Sequence, residues 1–145
     1  RFKYMEVNYM AVLVCGVAAM VIGFLWYGPL FGKAFMKVMG ADNMTPEQKA
    51  MMKKNMWGMY LIQFVLALIT AYVLAYHIAN WAGAETPVMV AICTWFGFIL
   101  TTEAGAALWS GKPKKLAWNM FLISASAQLV TFIVFGLILG AWGAY

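Results

Sequence analysis

Two ionisable side chains, Glu103 and His77, lie inside long apolar segments and are the first candidates for chemistry. Ionisable groups are costly in hydrocarbon, so those found there usually have a structural or functional task. Two interpretations of Glu103 stay open: a proton-titrating or cation-binding carboxylate, or a hydrogen-bonded residue that fixes helix register. His77 has no second ligand three or four residues away, which favours an interfacial hydrogen-bonding residue over a metal ligand.

Polar side chains in the neighbouring apolar segments are expected at the depth of Glu103. They are Gln63 in the second segment, and Asn119 and Ser124 in the fourth. Gln128 shares one helix face with Ser124. We therefore expect a polar seam between two pairs of helices, with Glu103 entering it.

Motifs for catalysis, cofactors or metals are missing from the sequence. It has no paired carboxylates within an apolar segment, no Cys–His pair, no phosphate-binding loop and no zinc spacing. Cys15 and Cys93 both fall in apolar runs and are predicted to be buried free thiols. Residues 36–59 are rich in methionine, whose thioether binds Cu(I), but the helical spacing of Met52 and Met56 favours apolar contacts. We predict no enzyme, no cofactor and no metal.

The composition points to a membrane protein. The chain has 145 residues, of which 65% are hydrophobic and 10% are charged, whereas soluble domains carry about a quarter charged residues. Four apolar segments are long enough to cross a bilayer, at about 8–27, 57–79, 87–109 and 116–142. The prediction is a single all-α membrane domain with four transmembrane helices, in which Pro29 and the adjacent glycines end the first helix.

An internal similarity arranges these helices as two repeated hairpins. Trp57-Gly-Met-Tyr-Leu-Ile returns as Trp118-Asn-Met-Phe-Leu-Ile, and the repeat predicts a pseudo-twofold axis along the membrane normal. Small residues at four-residue spacing favour close helix packing. These residues are Ala67, Ala71 and Ala75 on the second helix, and Gly136 and Gly140 on the fourth.

The connection between the first two helices contains two further predicted elements. Its aromatic and methionine residues, spaced at helical intervals beside Lys33 and Lys37, predict a short amphipathic interfacial helix, broken near Gly40. Thr45, Pro46 and Gln48 form a capping-box signature, which predicts that the second long helix begins there.

Lysines set the predicted orientation. The first and third connections contain eight of them, and the opposite side contains Arg1 and Lys3. The positive-inside bias places both connections in the cytoplasm and both termini outside, in a membrane that we expect to be the bacterial inner membrane. Lysines expected at lipid headgroups are Lys33, Lys37, Lys53, Lys54, Lys112, Lys114 and Lys115.

Two stretches of the sequence carry a resemblance to a known family. Residues 8–12 and 23–33, the latter reading Gly-Phe-Leu-Trp-Tyr-Gly-Pro-Leu-Phe-Gly-Lys, resemble the amino-terminal half of small bacterial membrane proteins grouped as domain of unknown function 1761. Residues 108–113, followed by an apolar last helix, are similar to the carboxy-terminal half. The resemblance implies a four-helix membrane domain and implies no activity or catalytic residue.

These observations favour a non-enzymatic membrane protein whose partners are the lipid bilayer and other protein chains. We expect an oligomerising or accessory subunit of a membrane complex, and no nucleic-acid partner, because the positive charge clusters between apolar runs. The alternative is a small proton- or cation-coupled transporter or channel that uses Glu103.

Overall fold

A computed structural model of the chain describes residues 6–81 and 86–142, and within them it is helical and contains no strand. Arg1 and Lys3, which the orientation argument uses, lie outside the described residues. The α-helices are α1 (Tyr9–Leu25), α2 (Gly32–Val38), α3 (Pro46–Asn80), α4 (Pro87–Thr94), α5 (Thr101–Leu108) and α6 (Lys114–Ala141).

Four helical spans are long and apolar enough to cross a membrane. They are Tyr9–Leu30, Pro46–Asn80, Pro87–Leu108 and Lys114–Ala141. Each overlaps one of the four predicted segments. The second differs most from its prediction, because the helix begins eleven residues before residue 57 and is continuous over 35 residues.

The first helical span ends at Leu30, one residue after Pro29 and before Gly32, where the sequence predicts its end. The helix continues beyond α1 as a π-helical turn, Trp26–Leu30, in which the Phe31 amide donates to the Trp26 carbonyl at 2.9 Å. Proline has no N–H and its ring clashes with the carbonyl four residues earlier in an α-helix. The wider π turn accommodates both effects.

A second π-helical segment, Trp95–Leu100, joins α4 to α5 without a proline. The hydroxyls of Thr101 and Thr102 donate to the carbonyls of Gly97 and Phe98, respectively, at 2.8 and 2.5 Å. Side-chain hydroxyls thus bond carbonyls within the distorted segment, where the regular α-helical ladder is interrupted. The third span is therefore a single helix with a bulge near its middle.

The predicted elements between the first two spans are present. The helix α2 lies where the amphipathic helix is predicted, and Gly40 follows it with a φ of 71°, a left-handed conformation that glycine adopts without strain. Thr45 caps α3: its hydroxyl accepts from the Gln48 amide, and the Gln48 side chain accepts from the Thr45 amide. The capping box is confirmed.

The helix α6 is at the centre of the packing. It contacts α1, α2, α4 and α5, whereas α3 packs mainly on α1 and only slightly on α4. The main core lies toward one end of the bundle, at the beginnings of α1 and α4 and the ends of α3 and α6. Its buried residues are Ala11, Val12, Cys15, Ala71, Leu74, Ala75, Ile78, Val90, Ala91, Phe132, Phe135 and Leu139.

The small residues singled out in the sequence lie at these contacts. Ala67, Ala71 and Ala75 are buried. A Cβ atom built on Gly136 would come within 2.9 Å of the Val88 Cα, and one on Gly140 would meet the Pro87 ring at 3.2 Å. Small side chains therefore allow the backbones of α4 and α6 to approach closely.

The expected symmetry between two equivalent hairpins is not evident in the packing. A twofold axis would exchange the first span with the third and the second span with the fourth. The contact between the first and fourth spans should then resemble the contact between the third and second spans. Instead, α1 packs extensively on α6, while α4 touches α3 at few points. The repeat therefore stays a prediction from the sequence.

Candidate functional site

Two indole groups contact the middle of α6 from different helices. The Trp26 Nε1 donates to the Ser126 hydroxyl at 3.2 Å, and the Trp95 Nε1 donates to the Ala125 carbonyl at 3.1 Å. Each tryptophan begins a π-helical segment. The two bonds fix the first and third spans at the same level of α6.

The sequence contains a signal for this arrangement that is absent from the predictions above. Trp-aromatic-Gly occurs at residues 26–28 and again at 95–97. Trp26 lies farther from the start of its span than Trp95 does from the start of its own. The two copies therefore do not coincide when the first and third spans are aligned from their first residues. Ser126, which accepts from Trp26, was likewise not among the predicted polar residues.

Glu103 lies in α5, three residues after the π-helical segment. Its side chain is partly buried. Within the described residues it has no hydrogen bond and no ion pair. It follows Trp95 by eight residues, which places it about 12 Å from the indole contact along the helix. The carboxylate thus faces neither a basic partner nor a hydrogen-bond donor of the described chain.

The residues predicted to form a polar seam are only partly brought together. Ser124 and Gln128 are half-buried on α6, which packs against the helix of Glu103, whereas Asn119 is exposed. Gln63 is exposed on α3. The structure does not bring Gln63 to α6, because α3 packs mainly on α1.

The lysines expected at headgroups lie at one end of the helices and are mostly exposed. Lys112 is the half-buried one, and its Nζ donates to the Val38 carbonyl at 3.4 Å. This bond links the turn before α6 to the end of α2. The other six predicted headgroup lysines are exposed, so their ammonium groups are open to phosphate or water.

A cleft between the end of α3 and the third span has a volume of about 360 Å³. It is lined by His77 and Trp81 from α3, and by Met89, Val90, Cys93, Thr94 and Phe98 from the third span. The His77 and Trp81 rings stack with centroids 6.4 Å apart. The Nδ1 atom of His77 is buried without a hydrogen-bond partner in the described structure.

The two cysteines have different environments. Both are free thiols, as predicted, and Cys15 is buried in the core. The prediction that Cys93 is buried is wrong: it is exposed and borders the cleft, because α3 only lightly covers this face of α4. Sequence spacing could not have grouped His77 with Met89 and Cys93, because these residues come from different helices.

No group of three His, Cys, Asp or Glu residues suited to a metal occurs in residues 6–81 and 86–142. A family model described as "Protein of unknown function (DUF1761)" matches residues 10–140 of the chain. No curated protein and no solved structure matches it.

Proposed function

The chain belongs to the DUF1761 family of proteins of unknown function, and from that premise we propose that it is an integral membrane protein that works by assembly with other chains rather than by catalysis. The proposal of membrane insertion is supported by four apolar helical spans of at least 22 residues. It is supported further by the large apolar side chains that these spans leave uncovered by protein, because such surfaces are stable where lipid is the solvent.

We place both lysine-rich connections in the cytoplasm and both termini outside a bacterial inner membrane. This orientation is supported by the eight lysines of the first and third connections. Reporter fusions at each terminus and in each connection test it. A terminus found in the cytoplasm would overturn the orientation.

One observation carries the proposal of assembly: the first part of α3 has no cover. Every residue from 46 to 63 is exposed, and Trp57 has 82% of its surface uncovered. The helix is about 52 Å long, while the hydrocarbon core is about 30 Å thick. Part of this stretch therefore extends beyond the hydrocarbon, carrying Met51, Met52 and Met56 where lipid tails do not reach. Exposed apolar patches mark protein–protein or membrane interaction sites, and beyond the reach of lipid tails we favour a contact with protein.

The partner that we favour is a second copy of the chain, through the uncovered part of α3. Native mass spectrometry from lipid nanodiscs tests this. We expect a homo-oligomer that Trp57→Ser weakens and that Trp109→Ser leaves intact, because Trp109 is 91% exposed but follows the end of α5, away from α3 in the sequence. A wild-type monomer would refute self-assembly, and a stable complex with a different protein would favour an accessory subunit.

The second candidate is proton- or cation-coupled transport through Glu103. It is favoured by the unpartnered, half-buried carboxylate next to a π-helical segment, since such segments are frequent at functional sites. Flux of protons or sodium in proteoliposomes should fall in Glu103→Gln and persist in the control Glu47→Gln, which changes an exposed carboxylate. Equal flux in the Glu103→Gln and Glu47→Gln variants would refute a transport role for Glu103.

A further inference from the structure

Three side chains with metal-binding donor atoms border the cleft between α3 and the third span. Met89 and Cys93 are four residues apart in α4, so they lie on one face of that helix. His77 reaches the same cleft from α3. Thioether and thiolate sulfur atoms select Cu(I), and imidazole nitrogen also binds copper.

The imidazole of His77 has an unsatisfied hydrogen-bonding atom in the described structure. Its Nδ1 is buried without a partner, and the described residues provide no hydrogen bond to either ring nitrogen. A buried polar atom without a hydrogen bond is costly. Coordination of the imidazole, with reorientation of its ring, would offset that cost.

We propose that this cleft binds a single Cu(I) ion through the His77 imidazole, the Met89 Sδ and the Cys93 Sγ. The site is separate from the uncovered part of α3, and it goes beyond the assembly function. Binding replaces the Cys93 thiol proton by the metal ion, and the proton passes to solvent.

Charge decides between Cu(I) and a divalent metal. One thiolate with Cu(I) and two neutral donors forms an uncharged complex, whereas Zn²⁺ in the same set leaves a charge of +1. Net charge is expensive within an apolar span. The donor set and the apolar surroundings therefore favour the monovalent ion.

Trp81 provides a spectroscopic probe. Its indole stacks beside His77 in the same cleft, so an ion bound by His77 would lie close to the indole. Bound Cu(I) should therefore quench the fluorescence of Trp81, and Trp81→Phe should remove that part of the quenching.

The test is an anaerobic titration of the whole reduced protein in nanodiscs with Cu(I), in competition with a chromogenic Cu(I) chelator. We expect one equivalent bound by the wild type. His77→Ala and Cys93→Ser should each weaken binding more than about tenfold, because loss of a ligand should exceed the loss caused by an outer-shell change. Circular dichroism and elution volume check that the variants remain folded.

Matched controls separate this site from other sulfur atoms. Cys15→Ser, which changes the buried thiol, and the double variant Met52→Leu/Met56→Leu should both retain the wild-type affinity. Absence of Cu(I) binding by the wild type would overturn the proposal. Loss of binding in the Met52/Met56 double variant would also overturn it. The same holds if Cys15→Ser and Cys93→Ser have equal effects on the affinity, or if the fluorescence quenching is unchanged in Trp81→Phe.

Discussion

Replacing Gly136 by alanine is expected to separate two helices that now touch through their backbones. A Cβ at this position would lie 2.9 Å from the Val88 Cα, 3.1 Å from the Pro87 carbonyl oxygen and 3.2 Å from the Ala91 Cβ. Carbon atoms pack at about 3.5–4.0 Å. Because two of the three obstructing atoms belong to the backbone, a rotamer change cannot relieve the overlap, and α4 must move away from α6 by roughly half an ångström or more.

The size of the effect follows from two opposing terms. Overpacking in a close contact costs about 1–3 kcal/mol, and alanine regains up to about 1 kcal/mol over glycine in a helix interior. With the full regain subtracted, we expect Gly136→Ala to lower the free energy of unfolding by up to about 2 kcal/mol, which changes the folding equilibrium by a factor of up to about 30. The loss should appear first as weaker packing of α4 on α6.

Gly23 provides the matched control, because it also lies within a helix but a Cβ there would meet nothing within 4 Å. Gly16→Ala should fall between the two, since the nearest atom is the flexible end of Leu68 at 2.6 Å. Unfolding by sodium dodecyl sulfate in mixed micelles measures all three variants against the wild type. Equal stabilities for Gly136→Ala and Gly23→Ala would refute the backbone-contact argument.

Substituting Ser126 by alanine should leave the Trp26 indole N–H without its acceptor and lower the free energy of unfolding by about 1–3 kcal/mol. If the stability losses of Ser126→Ala and Trp26→Phe simply added in the double variant, the hydrogen bond would be contradicted. Thr45→Ala should speed amide hydrogen exchange in the first turn of α3 and leave the unfolding midpoint unchanged, because the residues of that turn are all exposed and can fray without opening the core. A lower midpoint would contradict this local effect. A maleimide in detergent should label Cys93 and spare Cys15, whose side chain is 0% exposed; comparable labelling rates would contradict the packing of α1.

Helix positions and helix starts could be predicted from the sequence, because they depend on residues close together along the chain. The four apolar spans follow from length and hydropathy. The start of α3 follows from Thr45 and Gln48, which satisfy backbone groups three residues away. The break after α2 follows from Gly40, because glycine adopts a positive φ without strain. The helix end near Pro29 follows from the proline, but the sequence did not predict that Pro29 lies within a π turn, which accommodates a proline better than the interior of an α-helix.

The sequence by itself thus determined four apolar helices, the cap of α3 and the family resemblance. Tertiary structure decided which helices touch. Hydrophobicity cannot choose partners in lipid, since every apolar face is equally well solvated there; close packing and hydrogen bonds choose instead. Those contacts place α6 at the centre, fix Trp26 and Trp95 to adjacent residues, and leave the first part of α3 uncovered. They also gather His77, Met89 and Cys93 from two helices around one cleft, which spacing along a single helix could not reveal.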